Sequence, residues 1–417
     1  MTELREKLNN IIEEKNTKII PENLKAGVEA FGVQGNFTSD ADATAADIAK
    51  DKVAYVNGKK VVGELSNDKN STIEGTFSAG DYSSSGTKTR IYRLIKEIPS
   101  DITFSGTTVQ CMFADMVSLI KAPKLNVSNC TSTAFLYYNC TSLTDVPELN
   151  TKNISQVHAM YSGCQSLTHI PQLDMSSAVN TYQTFNNCKK LEEYGDVNAP
   201  KTTDGYSMFL GCSSLKKVGN INLPISTNAT GFFNGCSALT TVEGFNIPNS
   251  SYQQMFKGCS SLETLPEMDT SNVENMYETF ANCSKLKTIP LLDCSKAINV
   301  SSMFLSCSSL ESVPNLNLAK TINVRNMFTG CTLLETVPVF DLQSVTGNNM
   351  QNVFANCPNL SDESLNNILA TCISAVKVTS AAYKTLKYIG LSSVQATRCQ
   401  SLSNYQAFLA ASWTTGY

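Results

Sequence analysis

The chain has 417 residues, of which 42% are hydrophobic, enough for a packed core, and only 16% are charged, well below the roughly 25% usual in soluble proteins. A net charge of −4 removes any electrostatic case for nucleic acid or anionic lipid as a partner, and no apolar run approaches the roughly 18 residues of a membrane helix, so membrane insertion is not expected. The opening MTELREKLNNIIEEKN lacks a basic stretch followed by an apolar core, so no secretory signal peptide is expected.

Residues 1–36 read as a helical attachment segment. Leu4, Leu8, Ile11 and Ile12 form an amphipathic stripe, and Thr2 suits the cap. A helix this short is marginal alone, so the stripe packs on a particle partner, on sister chains as a homo-oligomer, or on its own domain. A second helix is expected from Pro21 to Ala30, with Gly32 near its end.

Residues 37–66 form a small helix-hairpin module. Asp42 or Thr44 can cap a short helix. Val53–Val56 and Lys59–Leu65 are strands across Asn57-Gly58, a strong signal for a two-residue hairpin turn. The run ATAADIAKDKVAYVNGKKVVGEL (43–65) resembles a short module in tail and other virion proteins of phages of Gram-positive bacteria. KNTKIIPENLKAGVEAFGVQGNF (15–37) is similar to segments of the same proteins. The resemblance implies a particle-attached protein that docks to other virion proteins through its N-terminus and is released by lysis. Residues 67–91, rich in Ser, Gly and Thr, read as a turn or flexible connection.

From residue 92 to 360 a period dominates. Ten cysteines from Cys140 to Cys357 are spaced by 23 to 26 residues, most often 24. A fixed period of this size marks a repeat array rather than a ligand cluster. An aromatic precedes each cysteine by three residues (Tyr137, Phe209, Phe280), and a leucine follows by three (Leu143, Leu215, Leu286). That spacing suits a helical or 3₁₀ turn facing a core. Six after eight of the ten cysteines comes Val, Ile or Leu, and often then Pro (Pro147, Pro171, Pro266, Pro290, Pro314, Pro338), in a stretch that looks extended; proline there limits lateral pairing. Met116 takes the cysteine slot one coil earlier, with Phe113, Leu119 and Pro123 in frame, and Tyr92, Ile95, Ile98 and Pro99 mark a partial coil before that. Eleven coils and this half-coil are expected to form one α/β repeat solenoid of about 24 residues per coil, each coil burying its apolar face against its neighbours.

The ladder cysteines read as core thiols, because Met replaces one of them. Without local C-x₂-C pairs no zinc site is expected, although stacked coils bring successive cysteines within reach of a disulfide. Cys111, Cys130, Cys294, Cys372 and Cys399 lie off the ladder. The pattern, clearest in NMYETFANCSKLKTIPLLD (275–293) and NVSSMFLSCSSLESVPNLN (299–317), resembles the BspA-like leucine-rich repeats of bacterial surface proteins and related repeats of mycoplasma surface lipoproteins. It implies a leucine-rich-repeat fold and a role in adhesion or display.

Residues 361–417 drop the period and are expected to form a helical C-terminal cap. Ser361 or Asp362 begins a helix through Leu365, Ile368 and Leu369, with further helices near 379–388 and 403–411. Trp413 is read as packed within it. The ending WTTGY resembles the C-termini of phage proteins carrying these repeats.

No phosphate loop, G-x-S-x-G or H-E-x-x-H occurs. His158 and His169 are no metal pair, so neither an enzyme nor a cofactor is expected. Positions five and six before each cysteine vary while the core positions do not. The row six before, which includes His158, Tyr182, Tyr206, Gln253, Tyr277 and Arg325, is the candidate face for a host surface protein or glycan; an ordinary solvated face is the alternative.

Overall fold

A computed structural model describes residues 109–248 and 251–416, together with six short strands nearer the N-terminus. The chain divides into two compact units, Met1–Asp174 and Met175–Tyr417. The stripe of Leu4, Leu8, Ile11 and Ile12 and the partial coil from Tyr92 lie outside the described residues.

In the first unit β1 (Glu29–Ala30) pairs antiparallel with β2 (Val33–Gln34). The helix expected to reach Ala30 therefore does not: its last residues, Glu29 and Ala30, are a strand, and Gly32 lies outside the described residues. Strands β3 (Val53–Val56) and β4 (Lys59–Val62) pair antiparallel with Val56 opposite Lys59, the register that a two-residue Asn57-Gly58 connection demands. β5 (Thr72–Glu74) pairs parallel with β6 (Thr103–Ser105). Part of the supposed flexible connection is thus a strand, at the point where β-branched Thr72 and Ile73 interrupt the Ser and Gly residues.

Residues 109–174 then form coils joined by parallel bridges such as Lys121↔Asp145 and Ser132↔Gln156, each spanning 24 residues. The turn holding the aromatic and the cysteine is not a helix of either kind. Residues five and one before the cysteine, Phe135 and Asn139 in the Cys140 coil, have φ near +57° (56° and 58°), which a run of right-handed turns forbids. The alternation divides the backbone donors. Phe135, Tyr137 and Asn139 donate their N–H to His158, Met160 and Ser162 of the next coil, while Leu136, Tyr138 and Cys140 donate three residues back. One segment thus serves as both turn and parallel ladder.

The second unit repeats this arrangement from Asn180 onward. Proline decides how much sheet each coil makes. β9 (Lys217–Asn222) and β10 (Thr241–Asn246) are six-residue parallel strands, flanked by β7 (Glu193–Tyr194) and β8 (Val197–Asn198). Their coils carry Gly195, Gly219 and Glu243 where others carry Pro. In the Cys307 and Cys331 coils, with Pro314 and Pro338, the same stretch keeps one bridge, Ser312↔Thr336, because proline has no N–H to give. Among the described residues α-helix occurs only after residue 361, so the coils themselves are turn and strand rather than α/β.

Columns of like residues fill each unit. Phe256, Phe280, Phe304 and Phe328 stack with ring centres 5.5–5.8 Å apart, as do Phe113, Tyr137 and Tyr161 at 5.5 Å in the first unit. Nine of the ten ladder thiols, Cys188 aside, point at the preceding coil: Cys283 Sγ donates to the Phe256 carbonyl at 3.1 Å, and Cys307 does the same to Phe280. All fifteen cysteines are buried and none is in a disulfide. Burial pushes the thiols up, Cys283 and Cys357 to about 12.

Helix α1 (Asp362–Ser374) is capped by Ser361, whose side chain accepts from Ser364 N. Ser364, Thr371 and Ser374 share one face at i, i+7 and i+10. Their hydroxyls accept from the backbone N–H of Val337, Phe340 and Leu342 at 2.9–3.0 Å, and Ser364 also donates to the Glu335 carbonyl. The helix thus occupies the edge of the last extended stretch with side chains in place of another strand. The helix expected at 379–388 is only a 3₁₀ turn at Ala381–Tyr383. α2 (Ser393–Cys399) starts with a Ser392/Gln395 capping box, a start signal left unread in the sequence. α3 (Tyr405–Ala410) packs Phe408 near Trp413, with ring centres 5.9 Å apart and both side chains buried. Gly390 (φ +93°) lies so close to Ala355 that a Cβ would meet its backbone N at 2.5 Å.

A candidate ligand-binding row along the coils

The row six before the cysteine begins with its own backbone. Tyr206 N–H donates to Asp204 Oδ1 at 3.0 Å, Tyr277 N–H to Asn275 Oδ1 at 3.1 Å, and Arg325 N–H to Asn323 Oδ1 at 3.1 Å. The side chain eight before the cysteine therefore turns the chain into the row, which explains why Asn, Asp or Ser holds that place in most coils. The carbonyls of the row accept from the preceding coil: Gln183 N–H to Tyr206, Gly231 N–H to Gln253, Gln254 N–H to Tyr277 and Ser302 N–H to Arg325, at 2.8–2.9 Å.

This ladder sets Tyr182, Tyr206, Gln253, Tyr277 and Arg325 in register, one per coil, in the second unit. His158 belongs to the first unit and is not grouped with them. It is half-buried, its ring edge-on to Phe135 at 5.2 Å, and burial lowers its pKa below the usual histidine value. Tyr206 (38% exposed) and Arg325 are exposed; Tyr182, Gln253 and Tyr277 are half-buried. Small members turn inward: Ser301 is buried, and so is Ala134 in the first unit. The variable position five before the cysteine contributes less to the surface than its variation suggested. Its left-handed backbone buries Ser207, Glu278 and Ser302.

Glu278 is the strongest polar focus beside the row. Its carboxylate accepts from Lys257 Nζ, from Gln254 Nε2 at 2.7 Å and from Tyr277 Oη at 2.9 Å. Burial alone would raise its pKa, but these three donors together hold it below the usual carboxylate range. The phenol of Tyr277 is pushed up by burial and by the same carboxylate. Gln253 Oε1 accepts from Asn275 Nδ2 at 3.1 Å, so both Gln253 and Tyr277 are held in place.

The row continues where the sequence period ends. Asn352 N–H donates to the Tyr388 carbonyl at 2.9 Å, in the register by which Asn326 N–H donates to Gln351. Tyr388 therefore takes the next place, half-buried, its hydroxyl donating to the Asn348 carbonyl at 3.0 Å. Nothing periodic marks it in the sequence. Among the described residues no cluster of His, Cys, Asp or Glu could hold a metal ion, and no helix is long and apolar enough to cross a membrane.

The model of one protein family, described as a Mycoplasma protein of unknown function, DUF285, matches residues 107–223 and 250–368. The chain belongs to this family. The DUF285 matches take in every ladder cysteine except Cys236, and every row residue from Tyr182 on except Thr230 and Tyr388. No curated protein matches the chain. Solved structures similar to it include a leucine-rich repeat protein from Bacteroides ovatus, 18% identical over 62% of this chain and 75% of that one, with a TM-score of 0.31. Another is a leucine rich cell surface protein from Faecalibacterium prausnitzii, 14% identical over 82% of this chain and 89% of that one, with a TM-score of 0.32.

Proposed function

We propose that this DUF285 chain is a non-enzymatic attachment protein. Its coils stack as a repeat array closed by the C-terminal helices, and the row from Tyr182 to Tyr388 is the surface that meets a partner. The reading rests on one observation: the ladder that stacks identical residues in the interior sets unlike, ligand-competent side chains in register outside. Solenoids use such surfaces for recognition. The more specific form is a phage or phage-like virion component, a tail fibre, baseplate or head fibre, attached to other virion proteins through residues 1–66 and assembling as a homo-oligomer through Leu4, Leu8, Ile11 and Ile12. It draws on the resemblance of residues 43–65 to virion modules and on the β3–β4 hairpin. A bacterial surface adhesin is the second reading; the description of the family names a bacterium, Mycoplasma, and no phage.

Gold-labelled electron microscopy of the producing culture, with an antibody against residues 92–360, tests the placement. Label at a tail tip supports host attachment by a virion. Label spread over a capsid makes the chain a decoration. Label on cells alone overturns the virion reading in favour of the adhesin.

A further inference from the structure

The row's backbone excludes one common mode of recognition. Tyr206 and Tyr277 spend their N–H on Asp204 and Asn275 and their C=O on Gln183 and Gln254. No backbone donor is left there for an added strand, so a peptide cannot bind these positions by extending the sheet. An extended peptide is also out of step. It repeats at about 3.3 Å per residue, or near 6.6 Å per same-facing pair, whereas coils joined by parallel backbone hydrogen bonds advance by about 4.8 Å, the spacing of paired strands. A pyranose unit in a linear glycan has a length close to that coil step. It also offers what the row can bind: a flat C–H face for a tyrosine ring and a rim of hydroxyls for carboxamide and hydroxyl groups.

The charges point the same way. Lys257 and Glu278 neutralise each other beside the row, and Arg325 is the one cation in the row itself. Tyr277 and Gln253 are fixed in advance by Glu278 and Asn275, which lowers the ordering cost of binding. We propose that the row binds a neutral, linear glycan laid along the coils, one sugar per coil, with Tyr206 and Tyr277 under sugar faces and Thr230 and Gln253 on hydroxyls between them. This deepens the attachment reading and rests on it.

The test is calorimetric titration of the full chain with β-1,4-linked N-acetylglucosamine and glucose oligomers, from disaccharide to octasaccharide, at low and high salt. Affinity is expected to rise with each added sugar until the Tyr206–Tyr277 span is filled and to be indifferent to salt. Tyr206→Ala is expected to weaken it about tenfold with an unchanged melting temperature. Absence of binding to both series, or binding that does not strengthen with length, overturns the glycan assignment. Adsorption of the chain to cells separates the two failures. Cells that adsorb it until they are shaved with protease leave attachment standing with a protein ligand, whereas cells that never adsorb it remove the attachment reading as well.

Discussion

The interior columns and the outer row hang on the same hydrogen-bond ladder but follow opposite rules. Inside, position after position repeats: Phe280, Phe304 and Phe328 stack, and Cys283, Cys307 and Cys331 each donate to the aromatic carbonyl of the preceding coil. Outside, at the same pitch, Tyr206 is followed by Thr230, Gln253 and Tyr277. Each coil must fit its neighbour's interior, so size and polarity there are fixed. Only the backbone of the row is constrained, by the Asx oxygen and the ladder carbonyl, which leaves its side chains free to vary.

Alkaline pH is expected to break the interior first and by the widest margin. Thiols held at about 12 when folded stand well above the ordinary cysteine value of 9.0. A pKa raised by folding gives stability that is complete below pH 9 and is lost as the pH climbs from 9 toward 12. At pH 10.5 each such thiol costs about 2 kcal/mol, a large part of the roughly 5–15 kcal/mol of a typical fold. Urea midpoints measured from pH 7 to 10.5 are expected to collapse above pH 9, with thiolate absorbance rising in step; a flat profile contradicts the buried thiol ladder. Phe280→Ala comes next, expected to cost about 3–5 kcal/mol as a lowered melting temperature. The closing edge is weaker. Ser364→Ala orphans the Val337 N–H, while the Glu335 carbonyl keeps the Ser361 N–H, an expected loss of about 1–3 kcal/mol, also read by melting. The smallest effect is a gain. The Tyr137 hydroxyl is buried with no hydrogen-bond partner among the described residues, so Tyr137→Phe is expected to stabilise by about 1 kcal/mol, and a loss would mean that the hydroxyl is satisfied.

The same contrast governs what could be read from the chain. The columns were legible because an apolar residue recurs at a fixed spacing: Phe280, Cys283 and Leu286 declare the coil by themselves. The turn was misjudged because periodicity says nothing about the sign of φ. Yet the residue before each cysteine is almost always Asn or Gly (Asn139, Gly211, Asn282, Gly330), the residues that tolerate φ > 0. The oxygen-bearing row of Asn180, Asp204 and Asn275 was equally visible, and its meaning follows from Asx-turn chemistry. Tyr388 was not legible at all, because a non-repeating segment brings it into register through a backbone hydrogen bond.

The most direct test of a varied row on a constant scaffold is adsorption of the purified full chain to bacterial cells, for the native sequence and for Tyr206→Ala. Tyr206 is exposed, so melting is expected to stay within about 0.5 kcal/mol of native stability. The account predicts that adsorption falls sharply while melting is unchanged. Equal adsorption by the two chains would contradict it and leave the row an ordinary solvated face.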